Sequence, residues 1–118
     1  MKIWSCICLM AALMGTNALL LGSESKVAQA SMIEKATSDL FKAKCSMCHG
    51  PEGKGFSALK TPDFTDPKWQ ASKTNREIED TIKNGKKDTM MKGWAGELKP
   101  EEINKLVQYV RSLNSKRK

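Results

Sequence analysis

The chain has 118 residues and a formal net charge of +7 at pH 7, with 20 Lys and Arg against 13 Asp and Glu. This length allows one domain with a small apolar core, because short chains bury a smaller fraction of their surface. The basic surface favours acidic partners. Nucleic acid is excluded as a partner, since the sequence contains none of the groove-reading motifs.

Residues 1–30 have the features of an export signal. Lys2 precedes the apolar stretch from Ile3 to Leu21, and the polar segment that follows ends in an Ala-x-Ala site at Ala30. Cleavage there would make Ser31 the first residue of a periplasmic or otherwise exported domain. The apolar stretch is also long enough for an uncleaved membrane anchor, although polar residues interrupt it.

The first element predicted after the leader is an amphipathic helix over residues 32–45, where apolar residues recur at spacings of three and four. Residues 50–66 are rich in Gly, Pro and Ser and have no period, which predicts a loop. Asp66 and Pro67 can then open a short helix that carries Trp69.

Two further helices are predicted in the C-terminal half. Thr74 and Glu77 have the spacing of a capping box, and Gly85 stands where a left-handed residue would end that helix. Residues 86–98 form a second irregular loop, and Pro100 begins a last helix at a first-turn position. The apolar face of this last helix consists of Ile103, Leu106, Val107, Val110 and Leu113.

No segment alternates apolar and polar residues for long enough to predict a strand, so we expect an all-α domain of about four helices joined by two long loops. Loops of this length in a small domain need a reason, and wrapping around a cofactor is one. A bulky apolar cofactor would also supplement the small core, because the two cysteines that follow the first helix are too close together to staple the fold.

Cys45, Cys48 and His49 form the sequence Cys-x-x-Cys-His, which is the attachment motif of c-type haem. Residues three apart lie on one face of a helix, so two thiols can bond to the two vinyl groups along one side of a porphyrin. A thioredoxin-like site requires a βαβ unit and structural zinc requires four ligands, which this region does not offer. Cys6 and Cys8 lie in the predicted leader and are excluded from the candidate site. The motif therefore predicts one covalent haem c whose iron is bound by the only His of the chain.

On these residues the chain resembles the class I c-type cytochromes over residues 31–118. That family has one haem in an all-α fold wrapped by long loops. Phe41, one helical turn before the first haem cysteine, is similar to the aromatic residue of the family's N-terminal helix. The resemblance implies that this side chain packs across the C-terminal helix near Leu106, Tyr109 and Val110.

The resemblance extends to the loops. Residues 48–55 are similar to the family's glycine-rich loop after the haem motif, and their glycines would permit close backbone turns. Pro62 resembles the proline whose carbonyl accepts the ring N–H of His49, a bond that orients the imidazole and raises its basicity. Thr37 departs from the family, which commonly has Gly there, so we expect a wider or shifted crossing of the terminal helices.

The resemblance also implies a sixth iron ligand from the loop before the last helix. The family takes a Met from the pattern Met-Pro-x-aromatic followed by Leu. Met91 fits this pattern, with Trp94 and Leu98 at the matching positions and Lys92 in place of Pro. Met90 is the alternative, and both methionines can also be simple packing residues. A Met opposite His raises the reduction potential and blocks the substrate position, which implies an electron carrier and not a haem enzyme.

The family resemblance further implies that Trp69 or Trp94 lies against a propionate or the face of the haem, although either can be an ordinary core residue. A basic ring around the exposed haem edge would attract acidic redox partners, although a solvated face without a docking role is equally compatible. The lysines expected in this basic ring are Lys42, Lys44, Lys54, Lys60, Lys86, Lys87 and Lys92.

We expect a monomer that shuttles one electron between redox protein partners. The first alternative is a haem subunit of a larger oxidoreductase complex, which includes complexes associated with a membrane. The second alternative is a haem sensor or peroxidase with an open sixth site.

Overall fold

The computed structural model describes residues 21–116, so most of the predicted export signal lies outside the described residues. Within this part the chain forms no strand, and its only sheet-like pairing is an isolated antiparallel bridge between Gly85 and Lys92. The predicted all-α class is confirmed. The α-helices are α1 (Leu21–Lys44), α2 (Ser46–His49), α3 (Pro67–Ser72), α4 (Asn75–Asn84) and α5 (Pro100–Ser112). Two short 3₁₀ helices cover Ser57–Leu59 and Leu113–Lys116.

Helix α1 begins at Leu21 and not at residue 32 as the periodicity predicts. Residues 24–31 are mostly good helix formers and contain no Pro, so the helix continues although its side chains there are exposed. The expected cleavage point after Ala30 therefore lies inside a continuous helix, and cleavage stays a prediction. None of the helices in the described part of the chain is both long and apolar enough to span a membrane.

Local signals set the ends of α3 and α4 as predicted. The carboxylate of Asp66 accepts the N–H of Lys68 at 3.0 Å and caps α3. At the start of α4, the hydroxyl of Thr74 accepts the N–H of Glu77 at 3.2 Å, and the carboxylate of Glu77 accepts the N–H of Thr74 at 2.7 Å. Gly85 ends α4 with a φ of 78°. Each of these contacts joins residues that are close in sequence, so the two helix boundaries could be predicted.

The core lies where α1 crosses α5. Phe41 is 1% exposed, and its ring centroid lies 5.1 Å from that of Tyr109, which confirms the predicted packing. Thr37 is also buried in this region, and its hydroxyl donates to the carbonyl of Ile33 at 2.8 Å. The hydroxyl is therefore satisfied within its own helix. The buried apolar side chains of the described region are Phe41, Phe64, Ile78, Ile82, Leu98, Ile103, Leu106, Val107, Tyr109, Val110 and Leu113.

A buried polar network joins α3 to α5. The Nε2 atom of Gln70 donates to the carbonyl oxygens of Phe64 at 2.7 Å and Val110 at 2.8 Å. Its Oε1 atom accepts from Nη1 of Arg111 at 2.8 Å, and the same guanidinium donates to the carbonyl of Lys73. The sequence analysis did not find this network, because its partners are far apart along the chain.

Candidate functional site

The Cys-x-x-Cys-His motif lies where α1 passes into α2. The N–H of Cys45 donates to the carbonyl of Phe41 at 2.8 Å, and the N–H of His49 donates to the carbonyl of Cys45 at 2.9 Å, so the helical path continues through the motif. Cys45 is half-buried and packs against the core, Cys48 is exposed, and His49 is 8% exposed. The motif therefore presents an inner thiol, an outer thiol and a buried imidazole within a single turn.

Cys45 and His49 border a largely apolar cavity of about 300 Å³. Every main part of the described fold contributes to its wall, from α1 to α5 and both long loops. The apolar and motif residues of the wall are Phe41, Cys45, His49, Pro62, Phe64, Trp69, Ile78, Ile82, Met91, Leu106 and Val110. Polar side chains also line it, namely Lys73, Glu77, Asp80, Thr81 and Lys86.

His49 has the properties of a metal ligand. Its Nδ1 atom is buried and has no hydrogen-bond partner in the described part of the chain. Burial lowers the pKa of His49, which favours the neutral imidazole that binds metals. The ring stacks on Phe64 with centroids 4.7 Å apart. A buried polar atom without a partner is costly, and together with the adjacent cavity and the two thiols it fits a haem bound at this position.

The Nδ1 atom of His49 makes no hydrogen bond to the Pro62 carbonyl in the described structure, and this expected bond stays a prediction for the haem-loaded protein. Pro62 lines the same cavity, but its carbonyl oxygen lies against Gly55, where an added Cβ would be only 2.6 Å away. Gly55 has a φ of 68°, and the close approach of the two backbone segments confirms the predicted role of this glycine in a tight turn.

The thiol of Cys45 is not of the reactive type. Burial, with a smaller contribution from Cys48, raises the pKa of Cys45 to about 11. Redox-active cysteines of Cys-x-x-Cys enzymes instead have lowered pKa values that expose a thiolate. The cysteine pair therefore fits a covalent attachment site better than a dithiol redox centre.

The structure separates the two candidate methionines. Met90 is 91% exposed, whereas Met91 is half-buried, packs against the core and lines the cavity. The Met91 carbonyl accepts the N–H of Lys86 at 3.0 Å, and Gly85 approaches it so closely that a Cβ would be 2.6 Å away. The end of α4 therefore fixes the backbone of Met91, and only Met91 is brought to the same cavity as His49.

The two tryptophans lie in different surroundings. Trp69 lines the cavity, and its ring centroid lies 4.7 Å from that of Phe64. Trp94 is not part of the cavity wall and packs at the edge of the core with Lys44 and Lys92 near its ring. The expected contact with the cofactor therefore stays a prediction for Trp69. The position of Trp94 outside the cavity wall does not support such a contact for Trp94.

Sequence reasoning missed the part played by Phe64. This residue stacks on the imidazole of His49 and also packs against Phe41 and Trp69. The sequence did contain a signal, since Phe64 is an aromatic residue in a polar segment without periodicity. Such a side chain usually anchors a loop to the core.

Comparisons with known proteins identify the family. Residues 34–110 match the family model described as cytochrome C oxidase, cbb3-type, subunit III. Curated relatives include the cbb3-type cytochrome c oxidase subunit FixP of Azorhizobium caulinodans, 35% identical over 79 residues, and subunit CcoP of Rubrivivax gelatinosus, 37% identical over 83 residues. The matches cover 67% and 68% of this chain but 27% of each relative, so the chain spans about a quarter of their length.

A solved structure supports the same assignment. The KustC0563 c-type cytochrome superimposes with a TM-score of 0.60 and 31% identity, over 65% of this chain and 95% of that protein. Together with the Cys45–His49 motif and its cavity, these matches give the fold, the cofactor and the family. The chain belongs to the family of cytochrome c oxidase, cbb3-type, subunit III, and its domain is that of a class I c-type cytochrome with one covalently bound haem c.

Proposed function

We propose that this chain is a haem-bearing electron-transfer subunit that exchanges single electrons with a larger oxidoreductase complex. The observation that carries the proposal is one largely apolar cavity lined by Cys45, His49 and Met91, with Cys48 exposed one turn further along the same motif. The names of the relatives, which are subunits of cbb3-type cytochrome c oxidases, support a complex as the partner. In this proposal the chain transfers electrons and does not itself turn over a substrate.

The residues of the cavity have distinct roles in this proposal. The S–H groups of Cys45 and Cys48 would each add across a vinyl double bond, which gives two thioethers without an oxidant or reductant. His49 would bind the iron from one side, since burial keeps its imidazole neutral. Met91 would bind it from the other side, and its thioether favours ferrous iron. The bound haem supplies one-electron chemistry.

We also propose that residues 1–30 export the chain and that residues 31–118 form the cytochrome domain outside the cytoplasm. The leader features at Lys2 and Ala30 support this division. Intact mass measured separately on the soluble and membrane fractions of a producing cell tests it. We expect the mass of a polypeptide that begins at Ser31, increased by the mass of one haem. A mass that includes residues 1–30 in the membrane fraction would favour an anchor.

The charged surface supports acidic partners. Lys54 pairs with Glu52 at 2.8 Å, while Lys44 and Lys92 both pair with Glu97. Within residues 24–114, no ion pair shorter than 4 Å involves the remaining lysines of the expected basic ring, which are Lys42, Lys60, Lys86 and Lys87. These four side chains are the members most available to an acidic partner, and electron transfer should slow as salt rises.

A freely diffusing carrier is the second candidate. The observation that favours it is the match to 95% of the KustC0563 c-type cytochrome, a chain that consists almost entirely of this domain. The two candidates share the haem chemistry and differ in whether the partner is permanent.

Co-purification distinguishes them. The full chain would be tagged at its C-terminus and produced in its native host, and detergent-solubilised membranes would be purified on the tag. A subunit should co-purify with an oxygen-consuming oxidase, and membranes should oxidise the reduced haem. Recovery of a soluble protein without any attached oxidase would instead support the diffusing carrier. A colourless protein with the mass of the bare polypeptide would contradict both candidates.

Exchange of each methionine tests the sixth ligand. Met91→Ala should remove the low-spin Met signature from the visible spectrum and lower the reduction potential by on the order of 0.1 V, a part of the ~0.8 V over which axial ligands tune haem. Met90→Ala is the matched control, and we expect it to leave both unchanged because Met90 is exposed. A wild-type protein that is five-coordinate and turns over peroxide would contradict the electron-transfer proposal.

A further inference from the structure

A cluster of charged side chains surrounds Trp94 beside the loop that carries Met91. The Nζ atom of Lys92 lies 2.6 Å from Oε1 of Glu97 and 4.2 Å from the centroid of the Trp94 ring. The Nζ atom of Lys44 reaches the same two groups, at 3.6 Å from Oε2 of Glu97 and 5.5 Å from the ring centroid. We call these four residues the Trp94 cluster.

The Trp94 cluster joins the two sides of the proposed iron site. Lys44 is the last residue of α1 and directly precedes Cys45. Lys92 directly follows Met91, and both lysines share the carboxylate of Glu97. Side-chain contacts therefore connect the backbone next to the attachment motif with the backbone next to the proposed sixth ligand.

The ring at the centre of the cluster has a fixed backbone. The N–H of Trp94 donates to the carbonyl of Ile82 at 2.9 Å, and its own carbonyl accepts the N–H of Leu98 at 2.8 Å. The preceding Gly93 lies so close to α4 that a Cβ would be 2.5 Å from the carbonyl of Lys83. Trp94 is thus held on the end of α4 and provides a stable surface for the ammonium groups.

We propose that Lys92 and Glu97, together with Lys44 and Trp94, are positioning residues that keep Met91 at the iron. The inference rests on the proposed role of Met91 as the sixth ligand. Lys92 does not restrict the backbone as a Pro would, so the side-chain contacts of the cluster add to the restraint that the end of α4 places on the Met91 backbone. The exposed fractions of 58% for Lys92, 47% for Glu97 and 40% for Lys44 keep each ion pair weak.

The test measures the rate at which Met91 dissociates from ferric iron in the haem-loaded full chain. At saturating imidazole, the rate of imidazole binding is limited by the loss of the internal ligand. Lys92→Gln and Glu97→Gln should each raise this rate by about twofold to fivefold, the change expected of exposed charge pairs. The rise in the double variant should be smaller than the product of the two single effects, since the two side chains share one contact. Lys92→Arg should retain a near wild-type rate.

Lys54→Gln is the matched control. It removes one positive charge from another exposed ion pair, with Glu52 at 2.8 Å, in the loop that follows His49. An equal rise in this control would show a general charge effect and would overturn the inference. A Lys92→Gln rate equal to that of the wild type would also overturn it, as would multiplicative effects of the two single substitutions.

The same experiment separates the inference from the proposed function. Met91→Ala should abolish the slow ligand-loss step, so that imidazole binds in proportion to its concentration. If this variant keeps the wild-type spectrum and rate, Met91 is not the ligand, and the positioning role fails together with the proposed role of Met91. If Met91→Ala behaves as expected but Lys92→Gln and Glu97→Gln do not change the rate, only the positioning role fails. The reduction potentials of all variants provide an independent readout.

Discussion

Replacing Gln70 by Leu removes the buried connection between α3 and α5 with little change in side-chain volume. The Nε2 atom of Gln70 donates to the carbonyls of Phe64 and Val110 at 2.7 and 2.8 Å, and its Oε1 accepts from Arg111. A buried neutral hydrogen bond contributes about 0.5–1.5 kcal/mol net. Loss of the two carbonyl contacts should therefore lower the free energy of unfolding by about 2 kcal/mol, with part of the loss recovered by the added apolar contact.

Urea unfolding of the haem-loaded protein, followed by far-ultraviolet circular dichroism, measures this change. With an m-value of about 1 kcal/mol/M for a small domain, the Gln70→Leu midpoint should fall by about 2 M. Gln108→Leu is the matched control, because Gln108 lies on the exposed face of α5 and such substitutions usually change stability by less than about 0.5 kcal/mol. Equal midpoints for the two variants would refute the reasoning.

Three further predictions concern stability. Phe41→Ala should lower the free energy of unfolding by about 3–5 kcal/mol in the same urea assay, because the ring is fully buried; Phe41→Leu should cost clearly less. Gly55→Ala should destabilise by more than about 1 kcal/mol and reduce haem incorporation, since the position has a φ of 68° and a Cβ would meet the Pro62 carbonyl. The backbone N–H and hydroxyl of Thr74 hold the pKa of Glu77 below its ordinary value. This contribution is present above the ordinary pKa of about 4.3 and is lost as pH falls through the lower folded value. Glu77→Gln should therefore destabilise more at about pH 6 than at about pH 3, and an equal loss at both would contradict the assignment.

Local sequence signals predicted most of the helical framework. The caps at Asp66 and Thr74 and the first-turn Pro100 are local signals, so the starts of α3, α4 and α5 could be predicted without knowledge of the tertiary structure. The start of α1 could not be predicted from apolar periodicity, because its exposed segment before Glu34 follows helix propensity alone. The periodicity begins at Met32, whereas the packed part of the helix begins at Thr37.

The sequence likewise predicted the part of the candidate site whose residues are adjacent in the chain. Cys45, Cys48 and His49 are contiguous, so their spacing alone indicates the cofactor. The choice between Met90 and Met91 depends on how the end of α4 closes the following loop, which involves backbone contacts that no sequence pattern encodes. The close approach of the Pro62 carbonyl to Gly55 likewise joins residues of one loop in a way that no sequence pattern encodes.

The cavity connects the small core to the electron-transfer role. The cavity of about 300 Å³ is largely apolar and is lined by core residues, so an apolar group that fills it would remove apolar surface from water. This space lies beside the buried Nδ1 atom of His49, which has no partner in the described region. An apolar macrocycle bonded to Cys45 and Cys48 would fill this cavity, and its iron would be a partner for the imidazole of His49. The residues that make the chain a redox protein are therefore also the residues on which its folded state depends.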